Sequence, residues 1–143
     1  MIITYKDEKN IDEKNLENIF NPLDWLSTKD TKILKRALSL STDVFTAWDE
    51  NKLVGIVQVI ADGGITVHVH YLVVLPEYRN NGIGTKLMNM VIEKYKDYVR
   101  LYIESRPEKV EYYEKEFDFK KQNFLVLMKK DLQGRKKLDK YDK

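Results

Sequence analysis

The chain has 143 residues and no cysteine. That absence excludes disulfides, thiolate-held metal and a cysteine nucleophile together, and it suits a reducing compartment. Long hydrophobic runs are missing too. No stretch of about 18 uncharged apolar residues occurs, and the apolar start at Met1, Ile2 and Ile3 is short, so neither a spanning helix nor a leader is expected and the cytoplasm is the default location. Charge of one sign is also scarce: 25 Lys and Arg stand against 23 Asp and Glu, for a formal net charge of +2. No strong field points to nucleic acid or a membrane as partner. There is no internal repeat or low-complexity segment, and the three prolines are scattered.

Apolar residues make up 43% of the chain, enough at this length for one core of ordinary size. Residues 1–130 are expected to form a single domain. Residues 131–143 are rich in lysine, with only Leu132, Leu138 and Tyr141 to bury, and are expected to be a frayed basic tail.

Hydrophobic period and punctuation give the order of elements. Residues 1–5 read as a strand. Leu16, Ile19 and Phe20, then Ile33, Leu34, Ala37 and Leu38, recur at helical spacing on either side of a break at Asn21, Pro22 and residues 27–30. Residues 44–48 and 53–61 are rich in β-branched and aromatic side chains and flank Asp49, Glu50 and Asn51 as a hairpin. After the Asp62, Gly63, Gly64 turn, residues 65–75 form a long strand stopped by Pro76, which lacks an amide hydrogen. From Ile83, an apolar stripe of Leu87, Met88, Val91, Ile92 and Tyr95 marks a helix that packs on the sheet. Residues 99–103 read as a strand, residues 107–116 as a helix and residues 124–128 as a last strand. The order is βααβββαβαβ, an α/β chain of the α+β kind.

Leu72, Val73, Val74 and Leu75 lead through Pro76, Glu77, Tyr78, Arg79, Asn80, Asn81, Gly82, Ile83, Gly84 and Thr85 into that helix. A strand, a glycine-containing loop and a helix N-terminus together form an anion site, because the first helical amides are free and glycine permits close backbone approach. A P-loop requires lysine directly after its glycine, whereas the order here is Gly84, Thr85, Lys86. A dinucleotide fingerprint requires a small residue where Leu87 stands. Arg79 to Gly84 instead resembles the Arg/Gln-x-x-Gly-x-Gly signature of the GNAT superfamily of N-acetyltransferases, and the preceding Val-Val-Leu-Pro-Glu-Tyr resembles that family's fourth strand and its exit.

The resemblance covers about residues 1–130 and is strongest from 44 to 104. It implies a mixed, mainly antiparallel twisted sheet of six to seven strands flanked by four helices. It also implies acetyl-CoA as cosubstrate, an amine acceptor and no metal. Leu72, Val73 and Val74 would then contact the acetyl and pantetheine portion. Asn80, Asn81, Gly82, Ile83, Gly84 and Thr85 would offer amides to the pyrophosphate, with Arg79 opening the motif. Relatives often pair through their late strands, so a homodimer is implied as well.

Attack by a neutral amine on a thioester needs a base, a donor to the carbonyl oxygen, for which the Val74 amide is a candidate, and an acid for the departing thiolate. His68 and His70, the only histidines, stand two apart on a strand and so share a face. They resemble the His-x-His pair of arylalkylamine N-acetyltransferases, and a glutamate occupies the His68 position in other members, which favours His68 as base. The run Tyr112 to Phe119 resembles a family pattern whose tyrosine protonates the CoA sulfur. That makes Tyr113 the natural acid, but Asp118 replaces the usual glycine and the segment is one residue longer, so Tyr112 stays open. Phe20, Asp24 and Trp25 are candidates for holding an ammonium group or for anchoring their loop to the core, and Trp48 reads as core. Two other classes remain: a CoA-binding module without turnover, and an interaction domain using Lys136 and Lys137, which the charge balance disfavours.

Overall fold

The computed structural model describes residues 1–23 and 30–129. Asp24, Trp25 and the basic tail at 131–143 lie outside the described residues.

The elements run β1 (Ile3–Asp7), α1 (Glu13–Phe20), α2 (Thr31–Ser39), β2 (Asp43–Asp49), β3 (Lys52–Ala61), β4 (Thr66–Val74), α3 (Ile83–Lys94), β5 (Arg100–Ile103) and α4 (Val110–Phe117). Single 3₁₀ turns precede α3 and α4, at Pro76–Tyr78 and Pro107–Lys109, and another follows α1 at Asn21–Leu23. Each 3₁₀ turn contains a proline, which supplies the fixed φ and needs no amide partner. The first two helices begin where aspartate caps free amides. Asp12 accepts from the Asn15 amide at 2.9 Å, and Asp30 from the Lys32 and Ile33 amides at 3.1 and 3.2 Å.

The sheet has the order β1-β2-β3-β4-β5, antiparallel at every pairing except the parallel β4/β5 edge. Its core is formed by Leu16, Ile19 and Phe20 of α1, Leu34 and Leu38 of α2, Val54, Ile56 and Val57 of β3, and Leu87, Met88 and Val91 of α3, all buried. Trp48 is core as read, its indole donating to Thr46 Oγ1 at 2.7 Å. Gly55 lets α3 approach the sheet: a Cβ there would stand 2.9 Å from Ile83 Cγ2 and 3.0 Å from Leu87 Cδ1. At the other end of α3, the buried Asp43 carboxylate receives Lys94 Nζ at 2.7 Å and the Tyr95 hydroxyl.

The fold class agrees with the sequence reading, and the strand count is lower, at five among the described residues. The difference is the last strand. Residues 124–128 are in no strand, and Phe124, Leu125 and Leu127 are almost fully exposed. Strand propensity measures fitness for a half-buried pleated surface, and no edge among the described residues pairs with this run.

Candidate active site

Two features of β4 shape the site. The first is a bulge. Val57 pairs with Leu72 and Val59 with Val69, so Gln58 alone opposes His70 and Tyr71. A bulge of this kind breaks the alternation of side chains and re-aims them. The His70 and Tyr71 rings consequently lie together, centroids 4.2 Å apart, although successive residues of a regular strand point to opposite faces. The second feature is an open edge. β5 pairs with β4 only from Thr66 to Val69, while β4 keeps β3 as partner as far as Val74. From His70 onward the outer edge of β4 has no strand partner among the described residues.

The glycine loop ends at this opening. Asn80 and Gly82 take left-handed conformations, with φ of 63° and 77°, which turn the chain into α3. For Gly82 this costs nothing, because it has no Cβ. Asn81 Nδ2 ties the loop to the Tyr78 and Arg79 carbonyls, each at 3.1 Å, and Arg79 Nε donates to the Val74 carbonyl at 3.2 Å. No side chain caps α3, whose first internal bond runs from the Lys86 amide to the Gly82 carbonyl. The amides of Ile83, Gly84 and Thr85 are therefore the helix's unbonded first donors. Ile83 is buried, Gly84 and Thr85 are half-exposed, and Asn80, Asn81 and Gly82 face solvent. Within β4, Val73 is buried, with Leu72 and Val74 half-buried beside it.

Of the two tyrosines on α4, it is Tyr112 that reaches this place. A Cβ on Gly84 would lie 3.6 Å from the Tyr112 hydroxyl oxygen and 3.6 Å from Val74 Cγ2, so strand, loop and α4 meet there. Both rings pack on Phe117, with centroids 5.6 Å away for Tyr112 and 6.3 Å for Tyr113, and Tyr113 alone also packs on Phe119, at 5.9 Å. Burial, then the neighbouring Tyr112, pushes its hydroxyl pKa above the ordinary value. Asp118 ends α4 with φ 59°, the left-handed cap usually supplied by glycine.

The histidines are brought together at the mouth of the opening, ring centroids 5.5 Å apart. His68 stacks on Tyr102 of β5 at 4.7 Å and 8°. Its Nε2 is buried without a hydrogen-bond partner, 3.4 Å from Glu104 Oε1, which is ion-pair distance without hydrogen-bond alignment. His70 stands at the first β4 position beyond the last β4/β5 pair, and its Nδ1 lies 2.8 Å from Gln58 Oε1. Desolvation on that side, then the neighbouring His68, holds its pKa below the ordinary histidine value, with Glu104 pulling the other way. A lowered pKa favours the neutral imidazole, which keeps a lone pair on one ring nitrogen.

Sequence reasoning missed Gln58, Tyr102 and Glu104. Gln58 did leave a signal, as the only polar residue between Leu53 and Ala61. Phe20 ends α1 fully buried, its ring edge-on to Tyr71 at 5.5 Å, so it serves the core. No group of three or more His, Asp or Glu side chains is arranged to hold a metal among the described residues. No helix among them is long and apolar enough to cross a membrane.

The sequence profile of the Acetyltransferase (GNAT) family matches residues 12–119. No curated protein sequence matches the chain. Solved structures share the fold. An acetyltransferase of the GNAT family from Streptococcus pneumoniae TIGR4 superposes with a TM-score of 0.75 at 23% identity, covering 90% of this chain and 100% of that one. An aminoglycoside acetyltransferase from an uncultured soil metagenomic sample, in complex with sisomicin, gives 0.69 at 18% identity, over 90% and 97%. Glucosamine-6-phosphate N-acetyltransferase from Arabidopsis thaliana gives 0.66 at 13%, over 92% and 99%.

Proposed function

The chain belongs to the GNAT acetyltransferase family, and from that premise we propose that it transfers the acetyl group of acetyl-CoA to an amine by direct attack in a ternary complex. The observation that carries the reading is convergence: the unpaired edge of β4, the unbonded first amides of α3 and the Tyr112 hydroxyl meet at one opening. Helix-end amides suit a pyrophosphate, and an open strand edge suits the amide groups of a pantetheine arm. Asn80, Asn81, Gly82, Ile83, Gly84 and Thr85 would take the first role. Leu72, Val73 and Val74 would take the second, with Arg79 holding the loop against the end of β4.

In the reaction the amine nitrogen forms a bond to the thioester carbon and the C–S bond breaks. His70 takes the proton that the ammonium must shed, since its lowered pKa favours the neutral imidazole and it stands where β4 leaves β5. His68, the residue favoured by resemblance, has its Nε2 buried against Tyr102 and Glu104, and its part is to tune His70. A β4 amide such as that of Val74 donates to the developing oxyanion. Tyr112, whose hydroxyl borders Gly84, protonates the leaving thiolate in preference to Tyr113, which has no atom within 4 Å of a Cβ on Gly84. An amine acceptor is in keeping with the aminoglycoside and glucosamine-6-phosphate enzymes that share the fold. The absence of cysteine and the balanced charge suit the cytoplasm and give no handle for nucleic acid.

We infer further that two copies associate through the late part of the chain, because residues 124–128 are apolar and exposed and the outer edge of β5 has no partner among the described residues.

A thermal melt with and without acetyl-CoA, followed by thiol detection against a panel of amines, tests the proposal. Stabilisation with amine-dependent thiol release is the expected result. Stabilisation with no release from any amine would favour a CoA-binding module without turnover, and no stabilisation would overturn the reading.

A further inference from the structure

Behind His70 runs a short buried chain of hydrogen bonds. The Ser41 hydroxyl, just past the end of α2, donates to the Ala37 carbonyl at 2.8 Å. Having one hydrogen, it faces Gln58 as an acceptor, and Gln58 Nε2 donates to it at 2.8 Å. Gln58 and Ser41 are 3% and 6% exposed, so water does not substitute for either partner. With its NH₂ group committed to Ser41, the Gln58 amide presents Oε1 to His70 Nδ1 at 2.8 Å. An acceptor in that position requires Nδ1 to carry the hydrogen. The opposite amide orientation would turn the Ser41 hydroxyl toward Gln58 Oε1 and give up its 2.8 Å bond to the Ala37 carbonyl.

From this chain we propose that Gln58 is a positioning residue, which holds His70 as the Nδ1–H tautomer so that Nε2 carries the lone pair. Free histidine in water favours the other tautomer, with hydrogen on Nε2, so the protein must impose this one. The β4 bulge makes the contact, because it sets Gln58 opposite both His70 and Tyr71. His68 and Tyr71 on β4 lie beside the His70 ring, and the charge of Glu104, just beyond β5, reaches it. The catalytic consequence rests on the reading of His70 as base, whereas the tautomer itself does not.

The chain has only two histidines, so ¹⁵N chemical shifts of the two imidazoles, assigned with His68→Ala, report the tautomer directly in the full-length protein. Nδ1–H is expected for neutral His70 in the wild type, with a shift toward Nε2–H in Gln58→Met, which cannot accept in the same way. In Gln58→Glu the carboxylate still accepts from Nδ1–H, so the tautomer persists and the acid limb of the rate profile moves to higher pH. For amine acetylation, Gln58→Met should lower kcat by about tenfold or more with KM for acetyl-CoA nearly unchanged. Ser41→Ala, which releases the amide without altering its acceptor, gives a milder version should Gln58→Met not fold.

Nε2–H in the wild type, or an unchanged His70 spectrum in folded Gln58→Met, would overturn the proposal. A moved tautomer with an unchanged rate would instead uphold the Gln58 contact and remove the base role from His70, so failure of the inference is distinguishable from failure of the mechanism it refines.

Discussion

In the proposed mechanism, His70 and its neighbours set how the reaction depends on acidity. Desolvation and His68 lower the His70 pKa, while Glu104 raises it. A base with a depressed pKa stays neutral to lower pH, so the acid limb of kcat/KM should fall below the ordinary histidine value of about 6.5. His68→Ala removes a depressing influence and should move that limb to higher pH. Glu104→Gln removes the opposing charge and should move it lower. If the two variants shift the limb in the same direction, or not at all, another group is titrating. The tyrosines give a second residue-scale prediction. Tyr112→Phe should slow thiol release with acetyl-CoA binding retained, because its hydroxyl borders Gly84. Tyr113→Phe, altering a ring packed against Phe117 and Phe119, should leave the rate nearly unchanged. Equal slowing in single-turnover traces would return the acid role to debate.

Among the elements, α3 was legible in the sequence, since its stripe from Ile83 to Tyr95 recurs at helical spacing and buries Leu87, Met88 and Val91. What sets its distance from the sheet is a missing side chain on β3. Gly55→Ala would push a methyl to within 2.9 Å of Ile83 Cγ2 and 3.0 Å of Leu87 Cδ1. Overpacking of this sort should cost about 1–3 kcal/mol, read from denaturant midpoints. Because Ile83 begins α3, acetyl-CoA binding should weaken in the same variant.

The glycine loop was legible for a similar reason, as strand, loop and helix are contiguous and their signals are local. Gln58 as the partner of His70 was not, because the contact depends on a bulge that shifts the β3/β4 register by one residue, and register is a property of two strands. The choice between Tyr112 and Tyr113 was hidden likewise. It turns on the rotation of α4 about its axis, which sets the ring that meets Gly84.

On the scale of the whole molecule, the run at 124–128 is the clearest departure from the expected order of elements. It has the composition of a strand and lies exposed in no sheet. If two copies pair through it, light scattering should give the mass of two chains, and Leu125→Lys with Leu127→Lys should give the mass of one without lowering the melting temperature of the domain appreciably. A single-chain mass for the wild type would refute the association.

The same run has a further consequence for the chain in concentrated solution. Phe124, Leu125, Val126, Leu127 and Met128 contain no charge and no proline, the composition that stacks into fibrillar steric zippers when many copies meet. Lys120, Lys121 and Lys129 flank it and are exposed, where their mutual repulsion acts as a gatekeeper against such stacking. Lys120 is partly engaged by Asp118 at 2.7 Å, which leaves Lys121 and Lys129 to carry more of that duty. Repulsion between exposed charges is screened by salt. Turbidity and dye-detected fibril growth should therefore rise with ionic strength, and rise further in Lys121→Gln with Lys129→Gln.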